Sequence, residues 1–135
     1  MSYIIPVSLG ELVDKITILE IKLACITNEQ ALVNINNELH QLRQIPIPNG
    51  IDLSELTLVN KQLWDVEDLL RKYESEGYFG QYFIESARSV YKLNDKRAFI
   101  KKQINMLNNS LLVEEKSYTN VHIDSVKAIL ITSGE

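Results

Sequence analysis

The chain has 135 residues, 45% hydrophobic and 24% charged, with 14 Lys and Arg against 18 Asp and Glu and a net charge of −4. Length and composition predict one soluble domain, residues 1–135, that can bury roughly two thirds of its unfolded surface without staples. The acidic balance argues against a general nucleic-acid binder, and neither an apolar run of about 20 residues nor a secretory pattern is present, so no membrane span and a cytoplasmic location are expected.

Met1 to Val7 reads as an extended lead-in ended by Pro6. Ser8-Leu9-Gly10-Glu11 then matches a capping box, with Val7 and Leu12 at the staple positions, so a first helix starts at about Leu9. Its inward stripe is Leu9, Leu12, Val13, Ile16, Leu19, Leu23 and Ile26. Thr27-Asn28-Glu29-Gln30 is a second cap-like start, and Leu32, Ile35, Leu39 and Leu42 carry a helix to about Ile45, where the Pro46-to-Gly50 segment stops it. Asp52-Leu53-Ser54-Glu55 opens a third helix, with Leu56, Val59, Leu63, Val66, Leu70 and Tyr73 on one face, which stops near Gly77. A fourth carries Phe79, Phe83, Val90, Leu93, Ile100, Ile104 and Leu107, roughly 43 Å at the usual rise. The expected fold is an all-α bundle of about four helices, with its core at about 8–110. From Ser110 the pattern weakens into a tail, 111–135, in which Val121 to Ile131 suits a short helix or a strand.

Winding each helix at about 100° per residue shows which polar side chains share the apolar faces. Glu20 falls with Leu9, Val13 and Ile16, whereas Glu11, Lys15 and Lys22 point away. On the third helix Asn60 and Glu67 fall beside Leu56, Leu63 and Leu70, flanked by Trp64 and Arg71. The fourth helix carries Asn94, Arg97, Lys101, Asn105 and Asn108 on its inward face. An inward carboxylate is costly unless paired. The expectation is therefore a network of Glu20 and Glu67 against Arg97 and Lys101, completed by Asn60 and Asn94. Such a network either sets helix register or lines a polar cleft that binds a ligand.

Residues 85 to 105 hold six cations and two acids, a local net charge of +4 inside an acidic chain. Outward lysines on a solvated face explain part of this, and an anionic small molecule such as a phosphate or sugar nucleotide would suit the rest. Ile18, Ile21 and Cys25 on the back of the first helix, and Ile84, Tyr91, Phe99 and Met106 on the back of the fourth, leave both helices apolar on two sides. Either they are central in the bundle or they form a seam with a second copy or another helical protein.

Catalytic signatures are missing. The chain has no Walker loop, no Gly-x-Gly-x-x-Gly and no Gly-x-Ser-x-Gly elbow, and its Cys25, His40 and His122 have no metal-ligand spacing. Asp65, Glu67 and Asp68 spread around their helix instead of forming the carboxylate rows that a magnesium-dependent helical pyrophosphatase needs. No cofactor or metal is expected.

Ile5-Pro6-Val7-Ser8-Leu9-Gly10-Glu11-Leu12-Val13-Asp14-Lys15-Ile16-Thr17-Ile18-Leu19-Glu20-Ile21-Lys22, Leu63-Trp64-Asp65-Val66-Glu67-Asp68 with Arg71, Ala87-Arg88-Ser89-Val90-Tyr91 with Asn94-Asp95 and Arg97-Ala98, and Glu114-Glu115-Lys116-Ser117-Tyr118 together resemble a small uncharacterised bacterial family. The likeness covers about residues 4 to 118. It implies a helical protein whose relatives occur near surface-polysaccharide and glycosyltransferase genes or fused to such enzymes, and it implies no established activity. Its motif residues include Glu20, Trp64, Glu67, Arg71, Asn94 and Arg97, the set that helical winding turns inward. The expectation is a non-catalytic accessory or interaction module for cell-surface glycan synthesis, a homodimer or the partner of a helical protein. The alternative is an enzyme or binding protein for an anionic glycan precursor or nucleotide. The candidate ligand-binding residues are Glu20, Asn60, Trp64, Glu67, Arg71, Asn94, Arg97 and Lys101.

Overall fold

A computed structural model describes residues 1–109 together with Glu115 and Ser117; the short helix or strand expected at Val121 to Ile131 lies outside the described residues. Four helices follow one another: α1 (Leu9–Cys25), α2 (Glu29–Arg43), α3 (Ser54–Glu76) and α4 (Gln81–Leu107), with no strand among the described residues. The fold is the expected all-α bundle.

The helix ends follow from local chemistry. The Ser8 hydroxyl accepts the Glu11 amide at 3.1 Å and the Asn28 side chain accepts the Ala31 amide at 2.9 Å, each satisfying an orphan donor of a first turn. Asp52 does similar work ahead of α3 by accepting both the amide and the hydroxyl of Ser54. α3 stops at Gly77, whose φ of +67° lies in the left-handed region that glycine enters without steric cost. There the Tyr78 amide reaches back to the Tyr73 carbonyl at 2.9 Å, closing the helix end and turning the chain into α4.

α1 is the central element and packs against each of the other three helices. One face, with Leu12, Ile16 and Leu19, meets Ile35 and Leu39 of α2. Another, with Val13, meets Leu56 and Val59 of α3 and Ile100 and Ile104 of α4. For α1, two apolar sides therefore reflect a central position in the bundle.

α3 and α4 pack along one another as an antiparallel pair, but α1 covers only part of them. Its 17 residues rise about 25 Å, whereas the 27 of α4 rise about 40 Å. Consequently the buried residues of α3 lie between Leu56 and Leu63, and those of α4 between Ile100 and Asn105. The outer halves form a two-helix arm. Val66, Leu70 and Tyr73, placed by the sequence on the core face, are only half-buried there, and Phe79 is exposed. Edge-to-face pairs Tyr73–Tyr78, Tyr78–Tyr82 and Phe79–Phe83 hold the tip of the arm.

Candidate functional site

The site starts where the first turns of α1 cross the last turns of α4. Gly10 is buried, and its amide donates to Asn105 Oδ1 at 2.6 Å. A Cβ at Gly10 would sit 2.7 Å from the Lys101 carbonyl oxygen, so only a hydrogen there permits this approach. The crossing presents the next polar residues of α1 to α3 and α4. Lys101 donates to Glu11 Oε2 at 2.7 Å and lies 3.4 Å from Asp14 Oδ2. Asp14, 5% exposed, also accepts from Asn60 Nδ2 at 2.8 Å. The same amide nitrogen donates to Thr17 Oγ1 at 2.9 Å, and the Thr17 hydroxyl donates to the Asp14 carbonyl.

This arrangement corrects the expected pairing. Lys101 is buried as expected, but among the described residues the acids on it are Glu11 and Asp14 of the first turns of α1, because Gly10 brings that end of the helix against α4. Glu20 stands apart and exposed, 3.2 Å from Arg43 of α2. It falls at the angle of Ile16, but on the solvent edge of the α1–α2 seam. Glu67 meets neither Arg97 nor Lys101.

From Asn60 the network leads outward. Both donors of the Asn60 amide are committed to α1, which fixes its Oδ1 toward α4, where it accepts from Arg97 Nη1 at 3.2 Å. Arg97 Nη2 donates to Asn94 Oδ1 at 2.7 Å. The guanidinium is thus held by two neutral amide oxygens. Among the described residues no carboxylate lies within ion-pair distance of it.

Arg97 faces a cleft of about 310 Å³ between α1, α3 and α4. Ile18 and Ile21 of α1 form an apolar side. α3 contributes Asn60, Leu63, Trp64, Glu67, Asp68 and Arg71, and α4 contributes Asn94 and Arg97. The α3 residues recur at steps of three and four, so they share one face of the helix. Six of the eight candidate residues line this one space: Asn60, Trp64, Glu67, Arg71, Asn94 and Arg97. Glu20 and Lys101 do not. Sequence reasoning missed Asp14 and Thr17, which hold the site from behind; the available signal was their spacing from Gly10, a row of small and polar residues on a second face of α1.

The third acid of the α3 cluster is spent elsewhere. Asp65 pairs with Lys61 at 2.8 Å on the outer side of α3, and that hydrogen bond pushes the Lys61 ammonium above its ordinary pKa. Among the described residues no three His, Cys, Asp or Glu side chains gather as a metal site would require, and no helix is long and apolar enough to cross a membrane. The cleft is a place for polar recognition, with one aromatic wall, two amides and charges of both signs.

A search of curated proteins and of solved structures finds no match to the chain. A family model does match, over residues 3–129, past Tyr118 where the recognisable motifs end. The chain belongs to this family of unknown function, DUF6165.

Proposed function

From a family without an assigned activity, we propose that this member is a non-catalytic helical binding module that holds a small acid-bearing molecule in the α1/α3/α4 cleft. Arg97 carries the reading. A guanidinium fixed by two neutral oxygens keeps its charge and further N–H donors available to an incoming phosphate or carboxylate. Trp64 offers a flat apolar wall, and the cleft volume sits at the small end of the ligand-site range of roughly 300–1,000 Å³. The cleft lining contains no Ser, Thr, Cys, Lys or His, and its only groups able to act as nucleophile or base are the Glu67 and Asp68 carboxylates, which supports binding over chemistry.

The motif resemblance supports a bacterial setting in cell-surface glycan synthesis, where acid-bearing sugar precursors supply ligands of this kind. A second role, self-association, is supported by the exposed Phe79, Tyr82, Ile84 and Tyr91 on the arm.

A thermal-shift screen with sugar phosphates, amino-sugar phosphates, amino acids, nucleotides and nucleotide sugars tests the binding reading. A ligand at about 100 times its Kd stabilises by roughly 2.7 kcal/mol, a rise of several degrees. Arg97→Gln should abolish the rise. A flat screen, or a rise that survives Arg97→Gln, contradicts the reading.

A further inference from the structure

The unpaired state of the cleft charges says more about what enters it. Arg71 and Arg97 carry two positive charges, Glu67 and Asp68 two negative ones, and the lining is therefore neutral. Glu67 and Arg71 are four residues apart on α3, with the acid N-terminal, the order that favours a helical ion pair. They nevertheless make no ion pair, and among the described residues Glu67 has no hydrogen-bond or ion-pair partner. A cleft that holds both signs apart over an aromatic wall is not complementary to a simple anion. Such a ligand would use Arg97 and Arg71 while leaving the Glu67 and Asp68 carboxylates repelling it and without a counter-charge of their own.

Resting on the binding reading above, we infer that the ligand is a small zwitterion, with a phosphate or carboxylate on Arg97 and a protonated amine facing Glu67. The amine is favoured by the Glu67 carboxylate, and Trp64 lines the same cleft, an indole being the side chain that attracts a cation most strongly. Asn94 donates to or accepts from the frame between the two charged ends. The volume of about 310 Å³ matches one ring or an amino acid held within the cleft. An amino-sugar phosphate and a free amino acid both have this chemistry.

Titration calorimetry on the full chain separates these cases with matched probes: glucosamine 6-phosphate, glucose 6-phosphate, glucosamine and free leucine. One of the two zwitterions should bind about tenfold or more tightly than glucose 6-phosphate, because it gains a charge-assisted contact that the anion lacks. Whether that one is glucosamine 6-phosphate or leucine tells an amino-sugar phosphate from an amino acid. Glu67→Gln keeps the shape and removes the charge. It should erase the preference by weakening the zwitterion and leaving the anion equal or stronger. If the anion binds as well as the zwitterions and Glu67→Gln only strengthens it, the zwitterion inference falls and the anion-binding reading stands. If no probe binds, or binding is indifferent to Arg97→Gln, both fall.

Discussion

The α1–α4 crossing and the cleft beside it are built from the same residue types and treat them oppositely. At the crossing, the Gly10 amide, Asp14, Thr17, Lys101 and Asn105 are buried and make hydrogen bonds or an ion pair. A few ångströms outward, Glu67 and Arg71 stand unpaired among the described residues. Burial explains the difference. Where water is excluded an unsatisfied charge is too costly to keep, and where it has access a charge can wait for a partner. Asn60 joins the two regions, with its donors in the dry one and its oxygen on Arg97. The crossing gives the cleft its rigidity, and the cleft offers its charges to a ligand.

Substitutions should divide along that line. The largest effect belongs to Asp14→Ala, which strips Lys101 of a buried acid and Asn60 of an acceptor. Removing one partner of a buried pair costs about 3–5 kcal/mol, and the Glu11 contact that remains on Lys101 puts the loss near the lower end, read as a fall in the urea midpoint. Gly10→Ala comes next: its methyl must displace the Lys101 carbonyl or the Asn105 amide, an overpacking cost of about 1–3 kcal/mol in the same measurement. A midpoint unchanged in either variant would show that the crossing is loose.

The smallest effect lies far from both regions. Ser54 holds the exposed Asp52 below the usual carboxylate range, chiefly through its hydroxyl. A depressed folded-state pKa contributes stability that is present above the unfolded pKa and is lost as pH falls through the folded one. Asp52→Ala should therefore lower the Tm slightly at neutral pH, and the gap to the native chain should close in acid below that depressed pKa. A gap independent of pH would mean that the Asp52 charge plays no part in starting α3.

Much of this architecture is legible in the residues. Ser8 and Asn28 announce their helices through caps, and Gly77 ends one through a backbone only glycine adopts cheaply. Asn60, Arg97 and Lys101 are legible as inward because each winds to the face that carries the core residues of its helix. α1 defeats that method, since a central helix has more than one inward face. Glu20 winds to the angle of Ile16 yet lies at the solvent edge of the α1–α2 seam, and Asp14 lies on a face that its apolar neighbours do not mark. Glu11 reads locally as half of a capping box, and nothing nearby in sequence announces that Lys101, 90 residues away, takes its carboxylate. The exposed arm is hidden for a different reason: periodicity gives the face of a helix but not how far along its length a shorter neighbour extends.

The central claim is that a buried network holds Arg97 ready for a ligand beside Trp64. Trp64 is the only tryptophan in the chain, so indole emission reports this cleft alone. Titration with glucosamine 6-phosphate and, separately, with leucine should shift that emission to saturation for at least one of the two in the native chain and leave it flat for both in Arg97→Gln. The same shift in both proteins, or none with either ligand in the native one, would contradict the account.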